Sequence, residues 1–143
     1  MILPDTNILL YAYNATSRFH VQARAWLEEA FSGGEQIGVP WIVIVGFIRI
    51  ATDPRAHSNP LTMAEAVEIV DEWLARPNVL ALGPGPNHWQ ILSDLLTRGQ
   101  ARGPLTTDAH IAAHALEAGA VLATNDRDFA RFDGLRWIKP LDA

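Results

Sequence analysis

MILPDTNILLYAY, residues 1–13, is a short apolar run, an acid, and then a second apolar run with different spacing. Residues 1–5 read as a strand that ends in Asp5. Thr6 stands where it can cap the short helix that follows. The same form recurs near the far end of the chain. AVLAT, residues 120–124, reads as a strand, and NDRDFARF, residues 125–132, as a short helical segment carrying Asp126 and Asp128.

Between these two units the apolar positions alternate between strand and helix spacing. Phe19, Ala23, Trp26, Leu27, Ala30 and Phe31 recur at intervals of three and four opposite a polar row of His20, Arg24 and Glu28, which predicts an amphipathic helix ended by Gly33 and Gly34. Residues 36–39 form a second strand candidate, and Pro40 suits the first turn of a helix over 41–52 that Asp53 and Pro54 terminate. Thr62 and Glu65 form a capping-box pattern opening a helix through Ala75. VLAL, residues 79–82, is a third strand candidate, followed by a helix from His88 to about Arg98. TTDAHIAAHALEAG, residues 106–119, is a further helix closed by Gly119, and LRWIKP, residues 135–140, holds a last strand. Five short strands alternating with helices predict an α/β fold with a parallel sheet covered on both faces.

A chain of 143 residues, 49% of them hydrophobic, is long enough for one sizeable core and short for two, so one domain is expected. There are no cysteines, which excludes thiol nucleophiles, redox pairs, Cys-based zinc sites and disulfides. Any chemistry must use oxygen and nitrogen groups. The net charge of −5 gives no strongly basic nucleic-acid footprint, and the basic residues are Arg throughout except for Lys139. The N-terminus has neither a positive region nor a cleavage site of the secretory kind, and the most apolar stretch is broken by Pro40, Gly46 and Arg49. A soluble, cytoplasmic protein with no membrane association is expected.

In open parallel sheets ligands collect beyond the carboxyl ends of the strands. Asp5 follows the first strand, Asp126 and Asp128 follow the fourth, and Asp108 opens the helix before that strand, next to Thr106 and Thr107. If the first and fourth strands are neighbours, these four acids converge. Taken singly, each is an ordinary helix-end or turn residue. Together they present a physical problem, because two carboxylates ~5 Å apart repel by about 3 kcal/mol at an effective dielectric of ~20. A divalent cation resolves it. Oxygen-only ligands favour magnesium or manganese over zinc, and such an ion activates water and stabilises charge on a phosphoryl group.

The same residues carry a resemblance. MILPDTNILLYAY, TTDAHIAAHA and LATNDRDFARF resemble, in order, the three motif blocks of PIN-domain ribonucleases. WIVIVGFIRIATDPR resembles the intervening block of their VapC toxin branch, so the blocks together cover nearly the whole chain. The resemblance implies a three-layer α/β/α PIN domain over residues 1–143. It also implies a magnesium-dependent endoribonuclease, with manganese as a substitute ion, that is the toxin of a type II toxin–antitoxin module. The implied partners are an RNA substrate, a cognate VapB-type antitoxin and a second copy of the chain. Carried over by residue, Asp5 and Asp108 match the principal metal ligands, Asp126 a further metal-site carboxylate and Asp128 an auxiliary acid, giving the expected catalytic set. Asn7 and Thr124 match the polar residues that orient these carboxylates. One position departs: where the family usually has a glutamate, this chain has Gly46, three residues before Arg49. Asp53, about 10 Å further along a helix, is too distant to substitute.

Other features have weaker readings. Arg98, Arg102, Arg127 and Arg131 flank the acids in sequence, either as phosphate contacts or as solvated helix-end charges. Arg49, on the same side as Gly46, is a candidate partner for the acids. His110 and His114 stand four apart on one helix, a spacing that permits metal binding but more often marks ordinary surface or half-buried histidines. GPGP at 83–86 reads as a turn, and no serine sits in a GxSxG context. Most of the five tryptophans fall at positions expected to face the core, and the apolar helices over 41–52 and 62–75 offer a groove to a partner helix. Two rivals to the nuclease remain. One is a PIN-fold binding or regulatory module, catalytically impaired by Gly46. The other is a phosphatase or phospho-acceptor domain centred on Asp5, which Asn7 and the lone Lys139 support poorly.

Overall fold

The computed structural model describes residues 1–141, so the last two positions of the expected domain, 142 and 143, lie outside the described residues. In chain order the elements are β1 (Ile2–Pro4), α1 (Thr6–Ala12), α2 (His20–Ser32), β2 (Ile37–Pro40), α3 (Trp41–Ala51) and α4 (Met63–Ala75). Then come β3 (Val79–Leu82), α5 (His88–Arg98), α6 (Leu105–Ala118), β4 (Val121–Ala123) and β5 (Trp137–Ile138), with a 3-10 turn at Arg127–Arg131 between the last two strands. The five strands form one sheet in the order β3-β2-β1-β4-β5, and every pairing is parallel. Right-handed crossovers, the near-universal form, put α1–α4 on one face and α5 and α6 on the other. The packing agrees: α1 contacts α2 and α3, α3 contacts α4, and α5 packs on α6.

The chain leaves β1 toward β2 on one side and returns from β3 to β4 on the other. The seam between β1 and β4 is therefore the topological switch point, where a crevice opens at the strand ends. Ile2, Leu3 and Pro4 pair with Val121, Leu122 and Ala123, and Asp5 N–H donates to Ala123 O at 2.9 Å, extending this ladder by one residue. On the other side Ile2 N–H donates to Gln36 O, but Pro4 has no N–H to make the next bond. The β1–β2 register accordingly consists of Ile2 against Ile37.

Helix boundaries follow the sequence signals with small shifts. The N-cap of α1 is Asp5 rather than Thr6: its Oδ1 accepts from Thr6 N–H at 2.7 Å, a role a carboxylate fills as well as a hydroxyl. Pro40 is the N-cap of α3, one position earlier than expected. Thr62 and Glu65 complete both bonds of the capping box. Gly119 ends α6 with φ +64°, a left-handed conformation that glycine adopts without cost from a Cβ. Among the described residues no helix is long and apolar enough to cross a membrane.

On the α1–α4 face an aromatic cluster joins four elements. Trp73 of α4 packs edge-on against Phe47 of α3 with centroids 4.8 Å apart and against Phe31 of α2 at 6.1 Å, and its indole N–H donates to Tyr13 Oη at 2.9 Å. Trp73 is buried and Trp26 and Trp137 pack against the core, as expected of most of the tryptophans, whereas Trp41 is 53% and Trp89 71% exposed. Both sit in the first turn of an amphipathic helix, on the face turned from the sheet. We expect Trp73→Ala to cost about 3–5 kcal/mol, and Trp89→Ala to stay within about 0.5 kcal/mol of the parent. Urea unfolding followed by circular dichroism measures both.

Candidate active site

Asp5 stands at the mouth of the β1–β4 seam. Its carboxylate is buried, with Oδ1 accepting from Thr6 N–H at 2.7 Å and Oδ2 accepting from the Thr124 hydroxyl at 2.8 Å. Thr124 is fully buried and does two things at once: its Oγ1 donates to Asp5 and accepts from Asp126 N–H at 3.1 Å. Asp126 in turn caps the 3-10 turn, its Oδ1 accepting from Asp128 N–H at 2.9 Å. One string of hydrogen bonds thus runs from Asp128 through Asp126 and Thr124 to Asp5.

Asp108 enters from the first turn of α6, which begins at Leu105, three residues earlier than the acid expected to open it. Asp5, Asp108 and Asp126 line one cavity of about 400 Å³ together with Thr6, Asn7, Gly46, Arg49 and Thr107. Ile42, Val45, Ile50 and Ile111 supply its apolar wall. A larger depression of about 900 Å³ runs along α5, but its lining acids are Asp94 and Asp133 and it gathers no carboxylate cluster. The convergence of the first and fourth strand ends is therefore observed. Asp128 is exposed and sits at the rim rather than in the lining.

Electrostatics reflect this crowding. Desolvation raises the pKa of Asp108 to about 6, with the charges of Asp5, Asp126 and Asp128 adding to the rise and Arg131 opposing it. Burial also raises the pKa of Asp5, against the hydrogen bonds from Thr124 and Thr6 and with the charge of Asp126 reinforcing it. The acids are undercompensated by protein cations.

The remaining candidates divide. Thr124 orients Asp5 directly, while Asn7 lines the cavity without a hydrogen bond to any of the acids. Arg49 lines the cavity but forms no ion pair with the acids, contrary to the pairing considered for it. Arg98 is an exposed partner of Asp94 on α5, with Nε to Oδ1 at 2.9 Å, and lines the larger depression instead. Arg102 and Arg127 are exposed, and Arg131 bonds to Gly99 O at 3.1 Å. Asp53 is held by Arg55 beyond the end of α3 and does not line the cavity. Sequence reasoning did not single out Ile42, Val45 and Ile50. The signal was their spacing, since 42, 45, 46, 49 and 50 share one helical stripe of α3.

Gly46 sits in that stripe facing Thr6. A Cβ placed there would meet Thr6 Cγ2 at 3.5 Å and Oγ1 at 3.7 Å, ordinary contact distances, so the position has room for a side chain.

The sequence signature of the PIN domain matches residues 2–135. Ribonuclease VapC33 of Mycobacterium tuberculosis is 42% identical over 141 residues, covering 99% of both chains. Ribonuclease VapC37 of the same organism is 39% identical over 140 residues, covering 98% of this chain and 97% of its own. Among solved structures, VapBC2 from Rickettsia felis bound to a promoter DNA fragment contains a chain superposing with a TM-score of 0.72 at 22% identity, over 99% of this chain and 100% of that one. VapC20 of Mycobacterium tuberculosis, a sarcin-ricin loop cleaving toxin, superposes with a TM-score of 0.68 at 18% identity, over 95% of this chain and 99% of its own. The match over residues 2–135 makes the chain, with its parallel five-stranded sheet and acids at the switch point, a PIN-domain protein. Within that class the chain belongs to the VapC ribonuclease family.

The raised pKa of Asp108 has a thermodynamic sign. Its folded value of about 6 lies above the ordinary 3.8, so the folded state binds protons more tightly and gains stability as pH falls through 6 toward 4. In metal-free protein, lowering the pH from about 7 to about 5 should therefore raise Tm relative to Asp108→Asn, in which this contribution is absent. Thermal melts of both proteins in chelator-treated buffer test this.

Proposed function

We propose that residues 1–143 form one PIN domain acting as a magnesium-dependent endoribonuclease, the toxin of a type II toxin–antitoxin module. The observation that carries this reading is the convergence of Asp5, Asp108 and Asp126 in one cavity at the β1–β4 seam. Membership of the VapC ribonuclease family supports RNA as the substrate class, a VapB-type antitoxin as partner and the cytoplasm as the setting. Trp41, Ile42, Val45, Met63 and Val67, all exposed on α3 and α4, are apolar surface suited to the antitoxin or to a second copy in a homodimer.

The donor set fits magnesium: the converging side-chain ligands are carboxylate oxygens, and burial together with neighbouring carboxylate charge raises the pKa values of Asp5 and Asp108. Asp5, Asp108 and Asp126 would hold the ion, with manganese as a substitute. When bound, such an ion lowers the pKa of water and stabilises charge on a phosphoryl group. Thr124 fixes the rotamer of Asp5 and, through the Asp126 N–H, the approach of the second strand end. Asp128, held to Asp126, extends the negative rim. Arg49 presents a guanidinium at the cavity edge, where it positions a substrate phosphate. Arg102 and Arg127 are further phosphate contacts on the outer surface, whereas Arg98, engaged by Asp94 on α5, is a weaker candidate.

In-line attack by water with O3′ leaving yields a 5′-phosphate and a 3′-hydroxyl. Purified protein with magnesium should cleave RNA to these ends, and Asp5→Ala should abolish cleavage. Full activity in Asp5→Ala removes the assignment, and a 2′,3′-cyclic phosphate product overturns water attack. Gly46 motivates the rival reading of an impaired binding module, since the cavity lacks the family's usual glutamate. The same assay separates the two: an active parent excludes the impaired module, whereas an inert parent revived by Gly46→Glu establishes it. Arg49→Ala should weaken single-stranded RNA binding and reduce the log–log salt slope by about 0.7, read by filter binding across a salt series.

A further inference from the structure

The sheet end and α6 also build a second cluster, on the side of α6 turned from the acids. His88 is the first residue of α5, and His110 and His114 lie four apart on α6. One ligating nitrogen of each lies within 4.8 Å of the others, and His88 Nε2 and His110 Nδ1 are 2.8 Å apart. The three ring centroids are separated by 4.6–4.7 Å. His88 and His114 are buried, with 7% and 4% exposure, and His110 is half-buried.

A further observation points to a ligand. His88 Nδ1 is buried without a hydrogen-bond partner, an expensive state for a ring nitrogen. The nearest carboxylate oxygen, Glu117 Oε1, is 3.8 Å away, too far for a hydrogen bond. Glu117 is itself anchored, Oε1 accepting from Gly85 N–H at 2.8 Å and Oε2 from Asn87 N–H at 2.9 Å. The GPGP turn thus holds a carboxylate beside the imidazoles.

We propose that His88, His110 and His114 form a binding site for a borderline transition-metal dication, zinc foremost, separate from the acidic cavity. Imidazole suits zinc, whereas magnesium requires oxygen ligands. Zinc–nitrogen bonds of about 2.0–2.1 Å place tetrahedral ligand atoms about 3.3 Å apart, so the cluster needs a contraction of about 1.5 Å at its widest, and the hydrogen-bonded His88–His110 pair must open by about 0.5 Å. Burial, followed by the neighbouring His110 and His88, lowers the pKa of His114 to about 4, which leaves its ring neutral and its lone pair free at neutral pH. With His88 ligating through Nε2, its Nδ1–H turns to Glu117, the carboxylate–histidine pairing that orients a metal ligand and resolves the orphaned nitrogen. The N-terminus of α5 disfavours a cation, and the Glu117 carboxylate at that terminus offsets it. A cavity of about 170 Å³ lined by Leu82, Gly83, Gly85, Pro86, His114 and Glu117 borders the cluster at His114. An ion there ties the start of α5 to α6.

Isothermal titration of the full chain with zinc chloride tests the site, with the acidic cavity disabled separately by Asp5→Asn combined with Asp108→Asn. The expected result is one zinc bound at the imidazoles in both proteins, weakened ~100-fold in His114→Ala and in His110→Ala. His110 is half-buried, so its removal keeps the test valid if His114→Ala fails to fold. Cobalt(II) should give visible d–d absorption in the parent that His110→Ala loses. Absence of zinc binding to the parent, persistence of that binding in His110→Ala, or its loss on disabling the acids alone would overturn the proposal. Loss of nuclease activity in the acid variant bears on the acidic cavity and leaves this result untouched.

Discussion

The hydrogen bond from the Thr124 hydroxyl to Asp5 Oδ2 joins residues 119 positions apart, and the site depends on it. It works because β1 and β4 are neighbours in a sheet whose chain leaves β1 toward β2 on one side and returns from β3 to β4 on the other. At such a seam no crossover covers the strand ends, so side chains just beyond them face a crevice instead of a helix. Asp5 is thereby buried against backbone donors while one side stays open to the cavity. The Thr124 hydroxyl, donating to one strand's acid and accepting from the other's backbone, sets the distance between the two ends.

The net charge of −5 takes on a different meaning once the acids are located. Asp5, Asp108, Asp126 and Asp128 equal four of those five excess charges, and the structure puts them on one end of the sheet. The pKa of Asp108 rises to about 6, first through burial and then through the charges of Asp5, Asp126 and Asp128. A cation held there, as proposed, would offset that charge and let a polyanionic substrate approach. Arg49 matters in this setting because it faces the cavity without being neutralised by the acids beside it.

Much of this was legible in the sequence, for identifiable reasons. Strand exits followed at once by acids, at residues 5 and 126, gave the seam its chemistry once the two strands were assumed adjacent. Caps and breakers placed the helices to within a few residues, as Thr62 with Glu65 and Gly119 show. Adjacency of β1 and β4 itself was an assumption, because short parallel strands carry no pairing signal of their own. Which two tryptophans would be exposed was not legible, since an aromatic near a helix start, as at Trp41 and Trp89, satisfies the apolar period whichever way that turn faces. His88 was invisible as a partner of His110 and His114 because contact between α5 and α6 is a tertiary fact.

Helix α6 shows how one rigid element keeps two chemistries apart. At 100° per residue, Thr107, Asp108 and Ile111 fall on one side, and all three line the acidic cavity. His110 and His114 lie about 160° and about 120° round the helix from Asp108, stacked one turn apart against His88. Were ions bound as proposed, the carboxylate oxygens would suit a hard cation and the imidazoles a borderline one. The helix is also the mechanical link between them. Its first turn carries Asp108, and its packing on α5 sets how that turn is presented to Asp5 across the sheet end. The presentation of Asp108 thus depends on the packing of α6 against α5 as well as on the seam that places Asp5.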